Sequence, residues 1–269
     1  MAQAATIPRP QHHSRIYWSF RDTFVLITRS LKRIKQAPDQ LAGAAFQPIL
    51  LIVMFKYLFG GAISTGGHEN YVSFVIAGIF IENAALTAVT TSTSVATDML
   101  TGVIDRFRTL PMHKSAILTG HVFATLFSTL VGTAVMIAAG LVFGFRPHAD
   151  VASWFTAIGL TALVTLALSW MAVLIGLAGK SVEAVQQFGM ILILPIIASS
   201  AFVPTQTMPR WLQLFANNQP MTQGIDAVRA LLLGQPVGNH VRLTLIWFIG
   251  IILVAYIAAS VLFRQRTSD

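Results

Sequence analysis

Gly102-Val-Ile-Asp-Arg-Phe-Arg-Thr-Leu-Pro-Met112 is a short charged turn set between two long apolar runs, about 70–97 and 116–143. Each flanking run exceeds the roughly 20 apolar residues that carry an α-helix across a hydrocarbon core. A chain that crosses, turns on Asp105, Arg106 and Arg108, and crosses again is a polytopic helical membrane protein. Asp105, Arg106 and Arg108 leave the end of the second span, and Pro111 stops the element before the third. A short amphipathic helix here presents Ile104, Phe107 and Leu110 on one side, with charges flanking them. The turn is then either an ordinary basic loop or a surface seated in a partner's groove by apolar anchors.

Outward from this turn, further apolar runs lie near 41–60, 153–178, 184–203 and 243–263, giving six predicted spans. The composition agrees: 55 % of the 269 residues are hydrophobic and only 10 % charged, where a soluble domain carries about 25 %. Mean hydropathy is +0.69. The expected organisation is a flexible cytoplasmic tail over 1–13, an interfacial helix over 14–36, one membrane domain over 41–263 and a short cytoplasmic tail over 264–269. That leaves no room for a soluble catalytic domain. The interfacial helix is read from Ile16, Phe20, Phe24, Ile27, Leu31 and Ile34, which recur at helical spacing with Arg21, Arg29, Lys32, Arg33 and Lys35 off the stripe.

The net charge of +8 raises nucleic acid as a partner, but its distribution is topological. Thirteen Lys/Arg fall before the first span, in the loops after the second and fourth, or at the C-terminus, against four in the opposite loops. That asymmetry predicts both termini in the cytoplasm and no nucleic-acid role. The chain has no cysteine, so disulfide and thiol chemistry are excluded. The N-terminus lacks the pattern of a cleaved signal peptide, and the first span is expected to direct insertion.

Candidate chemistry is sparse. Gly176-Leu-Ala-Gly-Lys-Ser181 resembles a phosphate-binding loop, but Leu174 stands where the first glycine belongs and a helix end precedes it. It reads as the inner end of the fourth span, with Lys180 at the headgroups. His12-His13 and His68-Glu69 suggest no metal site. Glu82 falls deep in the second span, where an ionised carboxylate costs on the order of 2.5–3.5 kcal/mol. It either lines a path or makes a structural hydrogen bond. Thr87, Thr90, Thr91, Ser92, Thr93 and Ser94 follow it, as path lining or as glue between helices. Lys56 snorkels from the end of span one, and Gly140-x3-Gly144 permits close helix approach. Between the last two spans, Pro204 and Pro209-Arg210-Trp211 open one short helix. Pro220 opens another, with Met221, Ile225, Val228 and Leu232 as its apolar stripe and Gly234 as its stop. These helices either cap the outer end of the bundle or re-enter it.

The run Gly102-x-x-Asp105-Arg106-Phe107-Arg108-Thr-Leu110-Pro111-Met112, followed by Ser115-x-Ile-Leu-x-Gly120, resembles the central motif of type-2 ABC transporter permeases, in particular the daunorubicin-resistance branch of multidrug exporters. Glu183-Ala184-x-Gln186-Gln187, Ala201-Phe202-Val203-Pro204, Met208-Pro209-x-Trp211-Leu212-Gln213, Pro220-Met221-Thr222 and Asp226-Ala227-x-Arg229 follow in that family's order. Gln219 departs mildly, standing where Asn is more usual. The resemblance implies an all-α membrane protein with six transmembrane helices, an N-terminal amphipathic interfacial helix and short external helices between the last two spans. It implies the permease subunit of an ATP-driven exporter in a bacterial plasma membrane. Its partners would be a cytoplasmic ABC ATPase, a second copy or related permease, and membrane lipid. This chain would hold no cofactor, and ATP and Mg would be bound by the ATPase.

In that reading Asp105, Arg106, Phe107, Arg108, Leu110 and Pro111 couple to the ATPase. Glu82, Thr87 and Thr91 line the pathway, and Pro204, Pro209, Trp211, Pro220, Asp226 and Arg229 build the external helices. The expected substrate is an amphipathic drug or a lipid-like molecule. The alternatives are a polysaccharide or wall-polymer export permease, and an ion-coupled secondary transporter with Glu82 as its proton site. The lack of inverted repeats weighs against the last.

Overall fold

In the computed structural model of the chain, residues 49–59, 71–101 and 115–266 are described. The expected interfacial helix, the start of the first span and the charged turn over 102–112 lie outside them. Among the described residues every regular element is helical. A short apolar helix, Ile49–Leu58 (α1), closes in a π-helical turn, Phe55–Phe59. Three long helices follow: Tyr71–Leu100 (α2), Ser115–Phe143 (α3) and Val151–Ala178 (α4). Then come Val182–Gly189 (α5), Leu194–Ile197 (α6), Arg210–Asn218 (α7), Pro220–Leu233 (α8) and His240–Arg266 (α9). Four of these, α2, α3, α4 and α9, are long and apolar enough to cross a membrane.

The ends of the helices follow local chemistry. Asp150 caps α4 by accepting from Ser153 N at 2.9 Å, a bond that holds its exposed carboxyl below the ordinary aspartate range. Ser181 caps α5 by accepting from Ala184 N at 3.2 Å. The Gly176–Ser181 segment is therefore a helix–turn–helix joint. Arg266 fastens it further by donating to Ala178 O and Gly179 O at 3.0 and 3.2 Å. Pro220 opens α8, and Gly234 closes it in the left-handed conformation at φ +66°. Pro209 sits just before α7 rather than inside its first turn.

α2 is the central helix, packed against α4, α3, α5 and α8, while α9 lies against α4 and α8. Of the most apolar stretch of α2, 78 % is buried, against 17 % for α9; α2 is core and α9 leaves most of its surface exposed. Trp170 and Tyr256 meet edge-on at 4.9 Å to join α4 to α9. In a bilayer, helices gain little from burying apolar surface against each other, so close approach through small residues matters more. A Cβ on Gly78 would lie 2.6 Å from Ala201 O, and one on Gly176 would lie 2.6 Å from Ser92 O. Gly140 gives the expected close contact, with Ile76 on α2, whereas Gly144 turns the chain after α3 at φ +107°.

The expected continuous fifth span over 184–203 is a broken run instead. α5 ends at Gly189, a 3-10 turn covers Met190–Leu192, α6 lasts one turn, and residues 198–203 turn before Pro204. Pro195 removes a backbone donor. Ser199 donates to Ile196 O and accepts from Ala201 N, offering the backbone an alternative to the helix. Lys56 lies within 5.9 Å of the Phe143 ring, at the end of the bundle where α2 begins.

Gly78→Ala is expected to destabilise the protein by roughly 1–3 kcal/mol, the usual cost of overpacking. Gly159→Ala, with no neighbour within 4 Å of the added carbon, should leave stability unchanged. Thermal melts of the two variants in one detergent decide between these outcomes.

Candidate functional site

The hydroxyl run of α2 divides between two faces. One face is a seam with α3. Thr91 and Thr125 hydroxyls meet there, both buried, and Asp98 Oδ2 pairs with His121 Nε2 at 2.9 Å. Farther along, a Cβ on Gly132 would come within 2.9 Å of Asn83 Nδ2. The other face opens on a groove of about 400 Å³, lined by Val89, Thr90, Thr93, Ser94, Thr97 and Asp98 from α2 and by Val182 and Gln186 from α5. The groove lies toward the end of α2 that leads into residues 102–114.

Each groove hydroxyl donates to its own helix. Thr90 bonds Thr87 O, Thr93 and Ser94 bond Thr90 O, and Thr97 bonds Thr93 O, at 2.7–2.9 Å. Of the expected path residues, Thr91 belongs to the seam, and Thr87 donates to Asn83 O at 2.8 Å without lining the groove. Glu82 continues the groove face, because positions 82, 86, 90, 93 and 97 share one side of an α-helix. It is half-buried, and its Oε2 has no hydrogen-bond partner among the described residues. Asp98, His121 and Gln186 are not among the expected site residues; Asp98 lies four residues after Ser94, and His121 precedes Thr125, Thr129 and Thr133 at spacings of four, whereas Gln186 on α5 carries no such signal. Among the described residues no three His, Asp or Glu gather to hold a metal.

At the opposite end a polar knot ties α8 into the bundle. Arg229, 5 % exposed, donates from Nε to Phe74 O at 2.8 Å, from Nη1 to Asp226 Oδ1 at 2.6 Å and from Nη2 to Ser200 O. Its guanidinium also lies 3.9 Å from the Phe74 ring. Asp226 pairs with its charge within the helix, three residues away. Asp226 accepts a second bond, from Ser200 Oγ at 2.6 Å. Gln219 donates to Pro195 O and Ala198 O at 2.8 and 2.6 Å, and Tyr71 donates to Phe202 O at 2.7 Å. Phe55 of α1 stacks on Phe202 at 4.9 Å. Pro204 is buried at the end of the broken run, Pro220 begins α8, and Trp211 on α7 is exposed. Of the two expected short helices, α8 is therefore internal and α7 superficial. Asp105, Arg106, Phe107, Arg108, Leu110 and Pro111, expected to couple to an ATPase, lie outside the described residues.

Comparison with known proteins adds the family. Residues 21–233 match the model of the ABC-2 type transporter. The chain is 30 % identical to the daunorubicin resistance ABC transporter permease protein DrrB1 of Streptomyces coeruleorubidus over 91 % of its own length and 87 % of the relative's. It is 26 % identical to the probable doxorubicin resistance ABC transporter permease protein DrrC of Mycobacterium tuberculosis, over 97 % and 94 % of the two chains. The putative transport permease ycf38 of Pyropia yezoensis is 28 % identical over 77 % and 72 %.

Arg229→Ala is expected to cost on the order of 3 kcal/mol, because two buried carbonyls and the partly buried Asp226 carboxylate lose their donor together. In this cysteine-free chain a Val203→Cys reporter gives a clean readout. Its maleimide labelling should speed up several-fold in the Arg229→Ala background and stay slow with Arg229 present.

Proposed function

The chain belongs to the ABC-2 type transporter family, and we propose that it is the membrane subunit of a bacterial ATP-driven exporter that moves an amphipathic drug or lipid-like molecule. The polar groove on α2 and α5 carries this reading. The groove presents exposed polar side chains along a helix apolar and long enough to cross a membrane, and its volume of about 400 Å³ falls in the roughly 300–1,000 Å³ of small-molecule sites. The drug-resistance names of the similar permeases support the amphipathic drug over a polymer. The groove lies toward the 102–114 loop, which the charge asymmetry assigns to the cytoplasm, so a substrate enters from the inner half of the membrane.

Glu82 extends the path past the groove. ATP and Mg belong to a separate ATPase, whose closure is transmitted through Asp105, Arg106, Phe107, Arg108, Leu110 and Pro111. The remaining features of the proposal are six spans, cytoplasmic termini and an interfacial helix over 14–36.

A second permease copy completes the path. Phe188, Ile191, Leu194 and Ile197 on the broken α5–α6 run are all more than half exposed, beside the polar stripe of α2. Broken backbone at membrane depth is tolerated where protein or a water-filled cavity covers it, so this face meets the partner permease rather than lipid.

Two outcomes test the proposal. The double variant Arg106→Ala, Arg108→Ala is expected to insert normally yet lose most co-purifying ATPase and ATP-dependent transport; unchanged association and transport would defeat the coupling assignment. Leu194→Cys is expected to give an oxidation-dependent dimer on gels, whereas Val254→Cys on the exposed side of α9 should stay monomeric.

A further inference from the structure

α5 forms one wall of the groove, and its position is set at the joint that leads into it. That joint is Gly179-Lys180-Ser181, between the end of α4 at Ala178 and the start of α5 at Val182. The turn is tight: a Cβ on Gly179 would collide with Cγ2 of Val185, and Val185 is buried. Gly179 and the first turn of α5 therefore move as one piece. Val182 and Gln186, which line the groove, belong to that piece.

The joint is held from a distant part of the chain. Arg266, in the last turn of α9, donates to Ala178 O at 3.0 Å and to Gly179 O at 3.2 Å. These carbonyls stand where the α4 ladder stops, and a cation there also meets the negative end of the helix dipole. Next to Arg266, Phe263 and Ala259 of α9 pack with Leu177 and Val173 of α4 in one buried cluster. α9 is thus a fixed post from which the arginine reaches the joint. At its other end His240 Nδ1 meets Gln223 Oε1 of α8 at 2.7 Å, which ties the post to the helix of the arginine knot. Unlike Arg229, Arg266 is exposed. Water replaces an exposed partner at small net cost. The contact is directional enough to hold a position and weak enough to be released.

We propose that Arg266 is a releasable latch and a positioning residue for the groove. Through Ala178 O and Gly179 O it holds the α5 wall in place, and it lets go when α5 swings. This rests on the transport reading above, in which the groove is the transport site. Lysine, a point charge on a flexible stem, lacks the planar fork that spans two carbonyls.

The full chain in phosphatidylcholine nanodiscs tests it. Nitroxides on Thr93→Cys and Gln186→Cys, on the two walls of the groove, read its width by dipolar broadening. Amide hydrogen exchange over residues 183–189, in the unlabelled chain, reads α5 itself. Arg266→Ala is expected to broaden the nitroxide distance distribution and to speed α5 exchange about fivefold, the value of about one net hydrogen bond. Arg266→Lys should fall between, and Arg242→Ala, which removes a charge from the other end of α9, should change neither. Maleimide labelling of Val203→Cys, beside the arginine knot, is expected to stay slow throughout. Unchanged distances and exchange in Arg266→Ala would overturn the proposal. So would a rise in Val203→Cys labelling in step with α5 exchange, which marks Arg266 as a support of the whole bundle rather than of α5. If the doubly labelled chain does not fold, hydrogen exchange decides alone. Both readouts work without ATP or a partner, so they decide the latch apart from the exporter reading. Absence of ATP-dependent transport would remove that reading and leave the latch standing.

Discussion

A helix broken within an apolar bundle must find hydrogen bonds for the carbonyls that the break releases, and the rest of this structure is arranged around that demand. Between α5 and α7 the chain abandons the helix ladder. Pro195 O and Ala198 O are met by Gln219, Ser200 O by Arg229 and Phe202 O by Tyr71. Hydrocarbon offers no water to do the same work. Three donors on two different helices are therefore committed to one short segment. This explains why α8, which the sequence leaves free to cap the bundle or to re-enter it, is driven between α2, α4 and α9. Arg229 is a costly residue to bury, and it is retained because its planar fork serves Phe74 O, Ser200 O and Asp226 together.

α2 carries the consequences of that packing along its length. At its beginning it is held on both sides, through Tyr71 and through the Phe74 carbonyl. In its second half the same helix faces α3 with Thr91 and Asp98 and faces the groove with Thr90, Thr93 and Thr97. Neighbouring residues thus have opposite duties: Thr91 is buried and bonded to another helix, while Thr90 is exposed and bonded only to its own. A helix that turns 100° per residue makes this division unavoidable. It also lets a single run of hydroxyls be both interhelical glue and cleft lining.

Much of this was legible in the residues. The long spans followed from apolar length. α8 followed from Met221, Ile225, Val228 and Leu232 at helical spacing between Pro220 and Gly234, and all four are buried as that spacing requires. The hydroxyl run was visible as a polar stretch, but which threonines face the groove depends on where α3 sits, which no local pattern states. The break in the fifth run was hidden because hydropathy sees only that Ile193, Leu194, Ile196 and Ile197 are apolar; Pro195 and the Ser199-Ser200 pair were its local signs. Asp98 escaped notice because a carboxylate near a span end reads as an ordinary interfacial charge. Residues 102–112, where the family motif is densest, contributed through their sequence alone.

The two ends of α2 differ in a way that bears on motion. At the capped end the contacts are directional: an arginine fork, a tyrosine hydroxyl and a glutamine amide, each losing its full bond if the segment shifts by an ångström. At the groove end α2 meets α4 and α5 through small-residue contacts, Gly176 against Ser92 O and Gly189 against the side chains of Ser92 and Val89, and its groove hydroxyls bond within the helix. Such contacts separate at the cost of dispersion and leave no polar group newly orphaned, because the hydroxyls keep their own carbonyls when α5 moves away. In the exporter reading, force delivered through residues 102–114 therefore opens or closes the groove between α2 and α5 while the arginine knot holds the other end in register. The hydroxyls that shape the cleft are also what allows it to open without exposing an unmet donor.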